Sequence, residues 1–245
     1  MDEIARFSAE VHTNVDRLMA DAEMQRLSRA WLTEATRLRY MYNFTWLGRP
    51  VIQVPQDVLA VQEVIWKVRP DLVVETGVAH GGSLIHSASL LELLGGDGLV
   101  VGIDVDIRTH NRREIEAHPL ARRIRLIEGS STDERVAAAV REYARGRYAV
   151  LVVLDSDHTH AHVLRELELY SPLVTRGSYL IVFDTVIEDL PEELFAARRW
   201  GKGNNPKTAV WQFLAATDRF EIDARLAGKL LLTCAPDGYL RCISD

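Results

Sequence analysis

Four acids in the chain each follow directly on a short apolar run: Glu75 in "VVETGVAHGGS", Asp104 in "VVGIDVD", Asp155 in "VLVVLDSDH" and Asp184 in "YLIVFDT". An acid capping the next helix accounts for one or two such positions. Four of them place carboxylates at the carboxyl ends of buried strands, where open α/β sheets bind ligands. Behind Glu75 come Gly77, Gly81 and Gly82, a turn that no side chain crowds, and Ser83 opens the helix after it. A dinucleotide fingerprint is G-x-G-x-x-G with an acid about 20 residues later. Here the spacing is G-x-x-x-G-G and the acid precedes the first glycine. An acid in that place repels a pyrophosphate and suits a ligand carrying an amino group and a sulfonium. Asp104 then stands where it can accept from two ribose hydroxyls. S-adenosylmethionine has these features.

The elements that must hold these residues read as follows. From Ile4 to about Leu47 the chain has neither Pro nor Gly, and Val11, Val15, Leu18 and Ala22 recur at helical spacing. This predicts an N-terminal helical extension, residues 1–50, whose aromatic end is too apolar to stay exposed and packs on the main domain or on a second subunit. "RPVIQVP" is a connector, and Pro55 starts a helix to about Val68. Apolar runs at 72–75, 99–103, 124–127, 149–154 and 179–183 are short and do not alternate, as strands covered on both faces do. With helical stretches between them they predict a doubly wound, Rossmann-like α/β sheet over residues 51–245. An irregular stretch at 185–206, a helix at about 207–216 and strands at 220–224 and 229–233 complete the reading.

Composition excludes several classes. A net charge of −6 and a pI near 5.8 offer no field for a nucleic acid backbone. No apolar run approaches the roughly 18 residues of a membrane span. The acidic start "MDEIARFSAEV" lacks the pattern of a signal peptide. Two cysteines, Cys234 and Cys242, are too few for a disulfide framework or a Cys-based zinc site, and they flank the turn sequence "APDG" as though facing each other across a hairpin. The expectation is a cytoplasmic protein, a homo-oligomer through its N-terminal helices, with a small-molecule partner and neither nucleic acid nor membrane.

"VVETGVAHGGS", "GIDVD", "VLDSDHTHAHVLRELELYSPLVTRGSYLIVFDT" and "GKGNNPKTAVWQFL" resemble the cephalosporin hydroxylase-like family. Its members are similar to class I S-adenosylmethionine-dependent methyltransferases and include enzymes that O-methylate sugars such as rhamnose and act in antibiotic biosynthesis. The resemblance spans roughly residues 40 to 243. It implies that Glu75, Gly77, Gly81 and Ser83 form the cofactor loop and that Asp104 is the ribose acid. It also implies that "EGSS" at 128–131, with Ser130, lies beside the adenine, and that Asp155 lies near both the methyl donor and a divalent metal. Some members carry a Glu-Asp pair at the end of the fifth strand, where this chain has Phe183-Asp184.

Carboxylates ending adjacent strands can lie about 5 Å apart. Asp155 and Asp184 would then repel each other unless a cation relieved them, and an all-oxygen site suits Mg²⁺. The third ligand is open between Thr185, Asp157, a more distant acid and water. His158, His160 and His162 crowd "DSDHTHAH". A two-His, one-carboxylate iron site would make the protein an oxygenase. Asp157 reads as a helix cap, however, so His158 points over the strand ends, as a general base or as a second hydrogen-bonding residue, while His160 and His162 are solvated helix residues. The chemistry expected is Mg²⁺-assisted transfer of a methyl group to a hydroxyl of a sugar or of a polyhydroxylated, glycosylated or nucleotide-linked intermediate. "RRWGKGNNPKT", 198–208, reads as a flexible loop over a polar or phosphorylated acceptor. The alternatives are the iron oxygenase and a non-catalytic cofactor-binding protein.

Overall fold

Short apolar runs alternating with amphipathic stretches build one sheet with helices on both faces in the computed structural model, which describes residues 2–245. The chain order is α1 (Glu3–Ala20), α2 (Ala22–Arg37), β1 (Phe44–Trp46), β2 (Arg49–Val51), α3 (Pro55–Val68), β3 (Leu72–Thr76), α4 (Gly82–Leu94), β4 (Leu99–Asp104), α5 (Thr109–Glu116) and β5 (Ile124–Glu128). It continues with α6 (Glu134–Ala144), β6 (Val150–Leu154), α7 (His160–Tyr170), β7 (Tyr179–Val182), α8 (Pro206–Ala215), β8 (Phe220–Ile222), α9 (Ala224–Leu230) and β9 (Tyr239–Cys242).

The seven-stranded sheet runs β5-β4-β3-β6-β7-β9-β8. Its first five members are parallel, β9 is antiparallel to β7, and β8 is antiparallel to β9. Every residue of β3 and β6 is buried. Because successive side chains leave opposite faces of a strand, Val73 packs with Leu84, Ile85 and Ile181 on one face, while Val74 joins Val101, Val152 and Leu167 on the other. That two-sided burial explains why the strands read as continuous apolar runs. The strand order reverses at β3, and the register aligns Glu75 with Gly102 and Val153, so all four strand-end acids emerge at one edge of the sheet.

The N-terminal extension is two helices, not one. Asp21 breaks the helical run and its carboxylate accepts from the amides of Glu23 and Met24, capping α2. The helical pattern then ends at Arg37, with Arg39 in the left-handed region (φ 55°), and the hairpin β1–β2 follows. The strand expected at 229–233 is also corrected. "KLLLT" begins as the end of α9, which packs against α1 and α3, and Leu231 ends it at φ 57°. The last strand is β9, and because it pairs with β7 and β8, Cys234 and Cys242 do not face each other across a hairpin; both are free and buried. Among the described residues no helix is long and apolar enough to cross a membrane.

The tightest point of the frame is the turn after β3. Gly77 has φ +91°, and a Cβ there would meet the Asp155 carbonyl oxygen at 1.9 Å. Gly48 has a similar φ of +86° with open space around it. Gly48→Ala therefore carries only the conformational cost, about 1 kcal/mol, whereas Gly77→Ala must also displace the β6 end. Urea unfolding should show Gly77→Ala losing at least twice as much stability as Gly48→Ala; equal losses would mean that the backbone of β6 yields freely.

Candidate functional site

The loop between β3 and α4 is held from three sides. Gly77 N–H donates to the Ile103 carbonyl at 2.8 Å, and Val78 and Ala79 N–H donate to Oδ2 of Asp104 at 2.8 and 3.3 Å. Asn111 Nδ2 donates to the Ala79 carbonyl at 2.8 Å, and the Arg49 guanidinium reaches the His80 carbonyl at 2.8 Å. Gly81 (φ 82°) starts α4, and Ser83 in its first turn donates to the Glu75 carboxylate. Glu75 is 2% exposed. Burial pushes its carboxyl up to about 7, against the opposing pull of Ser83. Asp104 is thus part of the loop's own scaffold. Its Oδ1 accepts only from Asp106 N–H, at 3.2 Å, which leaves lone pairs for a ligand.

Two cavities adjoin at the strand ends. The first, about 420 Å³, is walled by the glycine loop, Ser83, Asp104, Ser130, Asp155 and His162. The second, about 510 Å³, is walled largely by the end of α2 and the stretch after β7. Gln53, Asp155, His158, Asp184 and Trp200 border both.

Asp155, His158 and Asp184 each offer a ligand atom within 4.8 Å of the others. His158 Nε2 lies 3.0 Å from Asp184 Oδ2, and the imidazole meets the Trp200 indole edge-on at 4.8 Å. Asp184 takes a left-handed backbone conformation (φ 57°), uncommon for a residue other than glycine, which turns the chain sharply at the strand end. Burial raises the Asp155 carboxyl well above its ordinary value, and repulsion from Asp184 and Glu75 adds to this; a hydrogen bond from Gln53 opposes it. A divalent cation fits these residues, because two carboxylates and an imidazole converge and a cation would lift the repulsion. Phe183 is buried beside Tyr239. Thr185 donates to the Pro236 carbonyl, and Asp157 is taken up by Thr159 and Arg199. Of the third ligands considered, neither Thr185 nor Asp157 joins the cluster; the third group in it is His158, which the sequence reading offers as a base and not as a ligand.

Asp157 bonds the Thr159 amide at 2.9 Å and α7 starts at His160, so His158 precedes the helix and points over the strand ends as expected. The other two histidines depart from the reading as solvated residues. His160 bonds Thr208 Oγ1 and Gln212, tying α7 to α8. His162 Nε2 sits 3.1 Å from Ser131 Oγ, 3.0 Å from Ser156 Oγ and 3.4 Å from Glu166. Burial lowers its pKa, but Glu166 and Asp157 outweigh that and leave it raised. A two-His, one-carboxylate set is therefore not assembled among the described residues. Nor is 198–208 a free loop. Glu188 accepts from Gly203 N–H and Asn205 Nδ2, Asn205 and Thr208 form a capping box, and Lys207 is buried on Asp189 at 2.7 Å. Gln53 escapes the sequence reading, and Trp200 enters it only as part of 198–208, without a role of its own. Neither carries a chemical signature, and only the fold brings residue 53 to residue 155.

Comparison with known proteins adds the following. A model of the family described as Rhamnosyl O-methyltransferase/CmcI matches residues 38–243. A rhamnosyl O-methyltransferase of Mycobacterium bovis is 29% identical over 201 residues, covering 80% of this chain and 77% of that protein. One from Mycobacterium leprae is 29% identical over 200 residues, covering 80% and 82%. A solved structure of CmcI with Mg and SAM shares the fold at 22% identity and a TM-score of 0.57, over 83% of this chain and 78% of that one.

Glu75 makes a stability test. The folded chain keeps a proton there up to about pH 7, while the unfolded chain releases it near 4.5. Unfolding therefore releases a proton in that interval, and stability falls as pH rises through it. The raised carboxyls of Asp155 and Asp57 slope the same way. Glu75→Gln should match the parent at pH 4 and exceed it at pH 8 by up to about 3 kcal/mol, read from urea midpoints in chelator. A variant weaker than the parent at pH 8 would show that the charge is compensated in the fold.

Proposed function

The chain belongs to the rhamnosyl O-methyltransferase/CmcI family and is an S-adenosylmethionine-dependent O-methyltransferase; on that premise we propose that it methylates a hydroxyl of a sugar or polyhydroxylated natural-product intermediate with the help of Mg²⁺. The observation that carries this reading is the meeting of two cavities at Asp155, His158 and Asp184. The first cavity takes the cofactor. Glu75 does not line it but lies buried behind Ser83, which does, and acts on the cationic end from there; Asp104 accepts from the ribose hydroxyls, and Ser130 lies beside the adenine. The second takes the acceptor. Asp155 and Asp184 would hold the cation through their carboxylate oxygens.

When bound, S-adenosylmethionine supplies the electrophilic methyl group, and Mg²⁺ supplies charge that acidifies an acceptor hydroxyl. The protein's own part is positioning and proton transfer. Gln53 stands with Asp155 at the border of the two cavities. Trp200 fixes the ring plane of His158, and the Asp184 carboxylate 3.0 Å away steadies the imidazolium that forms when His158 takes the acceptor proton. No protein nucleophile is required. The same reading makes the chain a cytoplasmic homo-oligomer in secondary metabolism. The exposed apolar stripe of α1, with Ile4 80% and Phe7 65% exposed, supports the association.

Chelation should abolish turnover and leave cofactor binding largely intact, and Mg²⁺ or Mn²⁺ should restore it. Asp184→Asn should lose catalysis far more than cofactor affinity. His158→Ala should lower kcat by about 10²–10⁴ and remove one limb of its pH profile. If the same variant instead raises the Mg²⁺ dissociation constant and spares the profile, His158 is a ligand and not the base. Asp104→Ala should weaken S-adenosylhomocysteine binding by about 1–3 kcal/mol in calorimetry. Full methylation in chelator would remove the cation from the mechanism. Light scattering should find a multimer that Phe7→Glu dissociates; a monomeric parent would end the oligomer proposal.

A further inference from the structure

The second cavity combines an apolar wall with charged groups, and this bears on the acceptor. Met41, Ile187, Leu190, Leu194 and Phe195 supply its apolar surface, beside the hydroxyls of Thr36 and Tyr42 and the amide of Gln53. Its floor is the acidic cluster with Asp155 and Asp184. At the rim stand Arg37, Arg39 and Arg198 against one acid, Glu193. Arg37 is paired with Glu34 at 3.2 Å. Arg39 and Arg198 have no carboxylate within 4.0 Å among the described residues. Each lies instead over an aromatic ring of the cavity wall. Arg39 is 4.2 Å from the centroid of Tyr42, and Arg198 is 5.4 Å from that of Trp200.

A guanidinium stacked on a ring keeps its fork of N–H donors in a fixed plane with the edge open, an arrangement suited to a carboxylate or phosphate. The chain is acidic overall, so two unpaired arginines at the mouth of this cavity create a local field that its surroundings do not supply. The floor acids repel the same anion. Attraction at the rim and repulsion at the floor orient an anionic molecule with its charge outward and its far end toward His158.

We infer that the acceptor is a hydroxylated molecule with an apolar body and an anionic group, carboxylate or phosphate, which Arg39 and Arg198 bind at the rim while the hydroxyl lies at the floor. This rests on the reading of the second cavity as the acceptor chamber. The apolar body occupies the Met41–Leu194 side, and the volume of about 510 Å³ suits a molecule larger than one sugar ring.

The test is calorimetry on the full chain in chelator, so that no anion can bind through a metal, with S-adenosylhomocysteine filling the first cavity. The probes are matched pairs: caffeate against caffeamide, and naphthyl phosphate against naphthol. At least one anion should bind about five- to thirtyfold tighter than its neutral partner at low salt, and the larger ratio tells carboxylate from phosphate. The advantage should shrink several-fold in about 0.5 M salt. The Arg39→Gln/Arg198→Gln variant should abolish it without changing S-adenosylhomocysteine affinity, and Glu193→Gln should enlarge it. Equal affinity within both pairs, an advantage that survives the double variant, or no saturable binding of either anion at millimolar concentration overturns the inference. The S-adenosylhomocysteine titration reports separately on the methyltransferase reading, so the two can fail independently.

Discussion

The site depends on the mutual repulsion of carboxylates that the sheet forces together. Glu75, Asp155 and Asp184 leave the ends of three neighbouring parallel strands, and among the described residues none of them has a lysine or arginine nitrogen within 4.0 Å. Burial raises Glu75 and Asp155, and the charges of Glu75 and Asp184 raise Asp155 further. An unliganded fold with this arrangement gives up stability at neutral pH, as functional sites commonly do. Positive ligands would recover it. On the proposed function, a cationic cofactor end on the Glu75 side and a divalent cation at Asp155 and Asp184 would answer the same electrostatic problem at two points of one edge.

What surrounds the carboxylates keeps them from escaping that conflict. Ser83 holds Glu75, the sheet register fixes the start of the Asp155 turn through the Asp155 amide on the Thr76 carbonyl, and the left-handed turn at Asp184 turns that residue back toward His158. Behind the site, Asp57 is fully buried. It accepts from Thr233 Oγ1, from the Cys234 amide and from the Tyr239 hydroxyl, which binds α3 to the segment leading into β9. Burial pushes the Asp57 carboxyl up to about 6. It is a polar staple, and its hydrogen bonds make it tolerable where an unpaired carboxylate would not be.

The sheet and its strand-end acids were legible in the sequence because their signal is local. Two-sided burial leaves an uninterrupted apolar run, and the residue after the run is the one at the edge. His158 was legible for the same reason, standing between the strand end and the start of α7, although the cap of that helix is Thr159 and not Asp157, which accepts from the Thr159 amide. The rest depends on contacts between distant residues. "KLLLT" has the composition of a strand, yet it lies where α9 meets α1, and packing overrides propensity there. His160, His162 and Lys207 look like solvated residues by type, but each is used as a crossbar between elements, to α8, to the loop after β5 and to Asp189. Asp21 is different: a capping residue followed by Glu23 was visible, and the absence of Pro and Gly concealed it.

The proposed boundary at residue 50, between a helical extension and a methyltransferase domain, describes how the chain is built more than how it works. Arg49 on β2 clamps the His80 carbonyl, and the Pro50 carbonyl lies where a side chain on residue 82 would have to go. Tyr42 lines both cavities, and Thr36, Arg37 and Arg39 line the second. The sheet supplies Asp104, Asp155 and the glycine turn, which line the first cavity, the proposed cofactor side. Segments outside the sheet, from the end of α2 and from the stretch after β7, form most of the second, the proposed acceptor side. Such a division lets the acceptor change while the transfer chemistry stays, since the walls of the second cavity can be rebuilt without moving a strand. The exception is Trp200, which borders both cavities and packs on His158. A change there alters the wall of the second cavity and the packing on His158 together.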